Sequence, residues 1–442
     1  MRQEDAGVGI TVAIIGAGPA GFYTVEALLE RCQTVTIDII ERLPTPYGLV
    51  RAGVAPDHQS TKQVVRKFEQ TALANLVHFY GNVEVGRDIT IDDLLAQYDA
   101  LVVAAGAPND RMLGVPGEQL EGVYGASAFV GWYNGHPDFR DLNPRLSPST
   151  VVIGNGNVAL DIARILVKTP DEMAASDIPG YALDAIAAAG IETVHVLGRR
   201  GPANTKFAPA EMREIARLTD CTPLVDPADM PEDAADDDKV LKLFRSFSAV
   251  APCGAHKRLQ FQFFAAPEAI IGHAHVEALR YRRNRVEAGR LVATDAVCDI
   301  ACGTVITAIG YRASPLPGVP FNADAGRVEN INGRVDSRLF AVGWAKRGPT
   351  GVIGSNKPDG EHCAEQILAE LGSDAAATAR PGRAGLERLL AERQIRYVTF
   401  DDWRLLNEQE VTRADAPAPR RKFTSFAEMM AVLGAARRQR LG

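Results

Sequence analysis

The chain has 442 residues, 46% of them hydrophobic and 23% charged, and a formal net charge of −7. That length allows two or three domains, each with its own core, and the composition is that of a globular protein. The negative balance excludes a global attraction to nucleic acid or to an anionic membrane, and no apolar run reaches the roughly eighteen residues that a membrane helix needs.

Met1 to Gly9 is short and polar, without the features of a secretory signal or an Arg-rich transit segment. The six cysteines, Cys32, Cys221, Cys253, Cys298, Cys302 and Cys363, are few and scattered. Both features point to the reducing cytoplasm. Only Cys298 and Cys302 are close, and AVCDIACGTVITAIG around them has the pattern of one apolar strand, so no metal site is expected.

Residues 10–15, ITVAII, form the first apolar run of strand length. The turn Gly16-Ala17-Gly18-Pro19-Ala20-Gly21 follows, then the helix-periodic FYTVEALLER. A second run, TVTIDII, ends at Glu41. Gly16 permits a tight turn, Gly18 lets backbone approach a pyrophosphate, and Gly21 lets helix and strand pack closely. The helix N-terminus offers free N–H groups to phosphates, and Glu41 can bind ribose hydroxyls. The motif alone does not choose between FAD and NAD. Its place at the head of a chain with two such motifs favours the flavin, by analogy of fold.

ALVVAAGAP (100–108) is a buried strand closing on a small-residue turn. Ser149 to Ile153 then opens a second fingerprint, Gly154-Asn155-Gly156-Asn157-Val158-Ala159, followed by the helical LDIARILV. Its next strand, ETVHVLG, ends on Arg199-Arg200, where an acid would bind a free 2′-hydroxyl. Two arginines favour the 2′-phosphate of NADP through charge-assisted bonds. TVITAIGY (304–311) is another strand and turn, and LFAVGW (339–344) is a strand running into KRGPTGVIG, with a helix from DGEHCAEQILAEL. Neither CxxC nor CxxxxC occurs, so hydride arriving on a flavin has no dithiol to take the electron pair.

These residues resemble the adrenodoxin reductase-like NADPH–ferredoxin reductases. The resemblance lies in GAGPAGFYT, LPTPYGLVRAGVAPDH, FYGNVEVGRD, FVGWYNGHP, VIGNGNVALDIARILV, VLGRRGP and GWAKRGPTGVIG, with FDDWRLLNEQEV and FAEMMAVLG in the tail. It therefore covers nearly the whole chain. It implies an α/β fold of two Rossmann-like dinucleotide-binding domains, both parallel-stranded. The FAD domain would be discontinuous, 1–108 and 310–442 with a tail of one or two helices, and the NADP domain would be inserted at 109–309.

The resemblance implies FAD contacts from Ala20, Glu41, Leu49, Val85, Trp344 and Gly351, Val352 and Ile353. It implies NADP contacts from Asn155, Gly156, Asn157, Val158, Arg199, Arg200, Glu211 and Gly351. His58, Asp161 and Glu214 would lie near the reacting rings. Arg213, Lys239, Lys242 and Arg245 would meet an acidic [2Fe–2S] ferredoxin, a separate chain that in turn serves a cytochrome P450. Two other readings stay open: reduction of a small acceptor such as a quinone, or an NADP-sensing flavoprotein that controls a binding partner.

Overall fold

The computed structural model describes residues 9–231, 238–249, 255–372 and 380–441; Cys253 and residues 1–8 lie outside them. Two parallel sheets organise the chain. The first has five strands in the order Leu339–Ala341, Ala100–Val103, Thr11–Ile15, Thr36–Glu41, Val77–Gly81. The second has six, in the order Val123–Gly125, Thr304–Thr307, Ser149–Ile153, Thr193–Leu197, Lys257–Gln262, Cys221–Val225. The central strands are nearly continuous apolar runs because both faces of each sheet are covered. Four buried apolar clusters line these faces.

Leu339–Ala341 pairs with Ala100–Val103, so the chain leaves the first sheet and returns to it after building the second. The outgoing and returning segments bind each other as a short antiparallel ribbon, Asn109–Asp110 with Tyr311–Arg312. The Asp110 carboxylate also accepts from the Ser127 N–H (2.8 Å) at the start of helix Ala126–Asn134.

Several expectations need correction. AVCDIACGTVITAIG is two strands in different sheets: Arg290–Ala301 is antiparallel and largely exposed, and Thr304–Thr307 is buried and parallel. Gly303 lies in the break between them, its N–H bonded to the Ser149 carbonyl (3.2 Å). Trp344 is not on a strand but in the short helix Gly343–Arg347, and the long helix Asn356–Leu371 begins before DGEHC. A third, antiparallel sheet of Ala265–Ile271, Ala278–Glu287 and Arg290–Ala301 accompanies the second parallel sheet. Among the described residues the tail holds three helices, Arg383–Glu392, Phe400–Thr412 and Phe426–Leu441. Among the described residues no helix is long and apolar enough to cross a membrane.

A seam of buried charges joins the two sheet units beside the loop that carries His58. The Pro56 carbonyl accepts from the Asp177 N–H (3.1 Å), and the Lys62 ammonium binds both Asp177 oxygens (2.7 and 2.9 Å). Lys422, from the tail, reaches the same carboxylate at 3.2 Å and donates to the Asn134 carbonyl (3.0 Å). Glu410, fully buried, pairs with Arg51 and Arg420 and accepts from the Phe423 N–H (2.8 Å). The tail thus fastens across both units.

Candidate active site

Gly16 has φ +108, and a Cβ there would meet the Ala104 carbonyl oxygen at 2.6 Å, so the turn demands glycine. Gly18 is different: a Cβ on it would meet nothing within 4 Å. No protein atom explains that glycine, and its open side leaves room for a ligand. Helix Pro19–Arg31 begins there with no side-chain cap, whereas Ile91–Gln97 and Phe400–Thr412 each begin with a capping box. The first N–H groups beyond Gly18 remain for an anion. Glu41 is fixed beside them, accepting from the Ala17 N–H (2.9 Å) and the Leu43 N–H (3.0 Å). Burial raises its pKa, against the pull of those N–H groups and of Arg42.

The other residues expected at the flavin gather around this turn. The Tyr47 N–H donates to the Ala17 carbonyl (2.8 Å), and a Cβ on Gly48 would lie 3.1 Å from the Gly18 Cα, so the turn leading into the short helix Leu49–Ala52 lies against the fingerprint. Gly343, beside Trp344, approaches Ala20, and Gly360 packs against Thr24. The Trp344 indole N–H donates to the Thr350 carbonyl (3.0 Å), tying the short helix to the Gly351–Ile353 loop. Val83, two residues before the buried Val85, donates its N–H to the Glu41 carbonyl (3.0 Å). Leu49 and Val352 are 45% and 71% exposed. Large apolar side chains left bare around an open, uncapped glycine turn fit a dinucleotide with a flat ring, and FAD is such a group.

The second fingerprint repeats this. Helix Asn157–Val167 starts at Gly156 with no side-chain cap, and a Cβ on Gly156 would also meet nothing within 4 Å. Asn157 accepts from the Ala208 N–H (2.8 Å), and the Asn155 carbonyl accepts from the Lys206 N–H (2.8 Å). The fingerprint therefore holds the loop that follows Arg199 and Arg200, both of which are exposed. Val158 is half-buried against the apolar cluster.

Between the units His58 meets the acids expected of it, and one more. Its Nε2 hydrogen-bonds Glu214 (2.9 Å), Glu211 lies 3.3 Å from the same nitrogen outside hydrogen-bond alignment, and Asp161 stands 3.9 Å from Nδ1. Glu211 thus sits in this cluster. Sequence reasoning misses the cations that hold the group. Arg164, with 1% of its side chain exposed, pairs with Asp57, with Asp161 (2.7 Å) and with Glu214 (3.2 Å); Lys168 binds Asp57 (2.7 Å). One signal is present: Arg164 follows Asp161 by three residues in a largely apolar helix. Burial alone would raise the Asp57 pKa, but Arg164 and Lys168 outweigh it and hold the carboxyl below the usual range. Burial wins at Asp161, and at Glu211, where the charge of Asp161 adds to it; both pKa values are raised.

Helix Pro209–Ile215 packs against helix Lys239–Ser248. Arg213, Lys239 and Lys242 are exposed and Arg245 is half-buried, so the four basic residues fall on two neighbouring helices. Cys221, Cys302 and Cys363 are buried, which pushes each thiol up to about 12, and Cys298 is half-buried. Thiols held protonated in this way make poor electron relays.

Two parallel Rossmann-like units, each with an uncapped fingerprint turn, define a two-dinucleotide flavoprotein oxidoreductase. The family described as pyridine nucleotide-disulphide oxidoreductase matches residues 10–216. The chain is 40% identical over 446 residues to the NADPH-ferredoxin reductase FprA of Mycobacterium leprae, covering 95% of this chain and 98% of the relative. It is 39% identical over 451 residues to the mitochondrial NADPH:adrenodoxin oxidoreductase of Bos taurus, covering 96% and 92%. The structure of Mycobacterium tuberculosis FprA in complex with NADPH superposes with a TM-score of 0.92 at 37% identity, covering 96% and 99%. The chain belongs to the FprA/adrenodoxin-reductase family of NADPH–ferredoxin reductases. It is an FAD- and NADP-dependent oxidoreductase.

Proposed function

We propose that the chain takes electrons from NADPH and passes them singly to an acidic [2Fe–2S] ferredoxin, a separate chain that serves a cytochrome P450 or similar monooxygenase. The observation that carries this reading is the pair of uncapped fingerprint turns in a chain whose Cys221, Cys302 and Cys363 thiols, raised by burial, are poor relays. FAD, when bound, supplies the chemistry of accepting two electrons together and releasing them one at a time. Residues 1–108 and 310–442 would hold it, and 109–309 would hold the nucleotide, in a protein of the cytoplasm.

The chain's own residues divide the work. The N–H groups at the starts of helices Pro19–Arg31 and Asn157–Val167 would bind the two pyrophosphates. Glu41 would hold a ribose, and Arg199 and Arg200 a 2′-phosphate. Leu49, Val352 and Ile353 would cover apolar ring surface and exclude water. His58, with Asp161, Glu211 and Glu214 around it, would hold or move a proton beside the rings. Hydride transfer itself needs alignment and distance, which the seam between the units would fix.

The test is rapid anaerobic mixing of the FAD-loaded protein with NADPH or NADH, followed by reduction of an acidic [2Fe–2S] ferredoxin at rising salt. Fast bleaching by NADPH and ferredoxin reduction that weakens steeply with ionic strength are expected. The double substitution of Lys239→Glu with Lys242→Glu should raise the apparent KM for ferredoxin about tenfold, with flavin reduction by NADPH unchanged. Quinone reduction without any coupling to ferredoxin would replace this reading with the small-acceptor one.

A further inference from the structure

Arg199 and Arg200 sit on a turn, and the antiparallel sheet holds that turn at three successive carbonyls. The Gly198 carbonyl accepts from the Ala265 N–H (2.9 Å), and the Arg200 carbonyl from the Phe264 N–H (3.2 Å). The Arg199 carbonyl accepts from a side chain, the amide of Asn284 (3.0 Å). Asn284 is 9% exposed and lies in strand Ala278–Glu287.

The strand is built to turn this amide inward. Leu279 and Tyr281 are buried and Arg280 is exposed, so regular alternation would bury Arg283 and expose Asn284. Instead the register against Arg290–Ala301 shifts between Arg282 and Asn284. There Arg283 alone faces three residues of the neighbouring strand, Thr294 to Ala296, and at this irregularity the alternation breaks: Asn284 is buried and Arg283 turns to Asp229 (2.6 Å). The Asn284 N–H donates to the Phe264 carbonyl (2.7 Å). Phe264 has φ +54, a left-handed conformation that costs a bulky residue free energy. Its ring packs on Gly201, where a Cβ would meet the ring at 2.5 Å. A bulge, a buried amide and a left-handed phenylalanine therefore converge on a turn whose two arginine side chains are exposed.

We propose that Asn284 is a positioning residue for nucleotide specificity: by holding the Arg199 carbonyl it aims the two guanidinium groups at a 2′-phosphate. This rests on the reading of Arg199 and Arg200 given above. Without the amide the charges would remain, but the turn would wander and the two-point geometry of a guanidinium on a phosphate would be lost.

Asn284→Leu keeps much of the volume and removes the donor, and Asn284→Ala is the second variant should the first fail to fold. Binding of 2′,5′-ADP and of 5′-AMP to the FAD-loaded proteins is measured by calorimetry, alongside KM and kcat with NADPH and NADH. The Kd for 2′,5′-ADP should rise about tenfold, and that for 5′-AMP should stay within about twofold. KM for NADPH should rise while kcat at saturation holds. An equal loss for both ligands, as a merely structural role would give, or no loss at all, overturns the proposal. Arg199→Ala and Arg200→Ala go through the same assay. If they leave the preference for 2′,5′-ADP intact, the 2′-phosphate reading fails. If they abolish it and the Asn284 variants do not, only the role of Asn284 fails.

Discussion

Replacing Arg199 and Arg200 together with alanine is expected to raise KM for NADPH about 100-fold while changing KM for NADH by less than about threefold. The two losses add. Each guanidinium on a phosphate makes a charge-assisted bond, and both arginines are exposed, so solvent screening limits each to roughly tenfold. NADH lacks the phosphate and should not register the loss. Steady-state ferredoxin or dye reduction with both nucleotides checks this, and added salt should shrink the wild-type preference by screening the same charges. Equal losses with both nucleotides would place the arginines on a part of the ligand that NADH shares, and their assignment to the 2′-phosphate would fall.

The two fingerprints are legible in the sequence because every part of them is local. A buried strand, a glycine turn and a helix start fall within about twelve residues, and their physics needs nothing from elsewhere. The acids around His58 are legible only through family likeness, because His58, Asp161 and Glu214 come from separate elements. Of the cations only Arg164 leaves a signal, its place three residues after Asp161 in a largely apolar helix. Lys422 sits in the run Arg420-Arg421-Lys422, which reads as a solvated charge cluster, yet it is buried against Asp177, in a distant part of the chain. LFAVGW is apolar throughout and reads as one strand, but Gly343 at φ +62 turns the chain into a helix after Val342. The antiparallel sheet is hidden because one of its strands, Arg290–Ala301, is largely exposed and lacks the apolar signal of the parallel strands. Asn284 is hidden because the burial alternation of Leu279 and Tyr281 breaks at Arg283, where three residues of the neighbouring strand face one, and an inner face is read from unbroken alternation.

Arg164→Leu is expected to destabilise the protein by about 3–5 kcal/mol, because it removes one partner of a buried ion cluster and leaves the acids behind. Arg164 and Asp57 are both nearly inaccessible, so solvent does not replace the lost charge. Asp57 keeps Lys168 at 2.7 Å, but Asp161 is left with His58, at 3.9 Å. The pH dependence separates charge from packing. In the parent protein the Asp57 pKa is lowered, so its contribution is present above the unfolded value and is lost as pH falls through the lower folded one, below about pH 4. Asp161 is already raised by burial and without Arg164 should rise further, while Asp57, losing its larger opposing charge, should rise from its lowered value. A raised carboxyl regains stability as pH falls through its folded pKa, because the folded state then binds the extra proton. The deficit of the variant should therefore be smaller near about pH 5 than near about pH 8 in urea unfolding of the FAD-loaded proteins. A deficit that is the same at both would mean that the loss is one of packing volume, and that the Arg164 charge does not hold the two units together at His58.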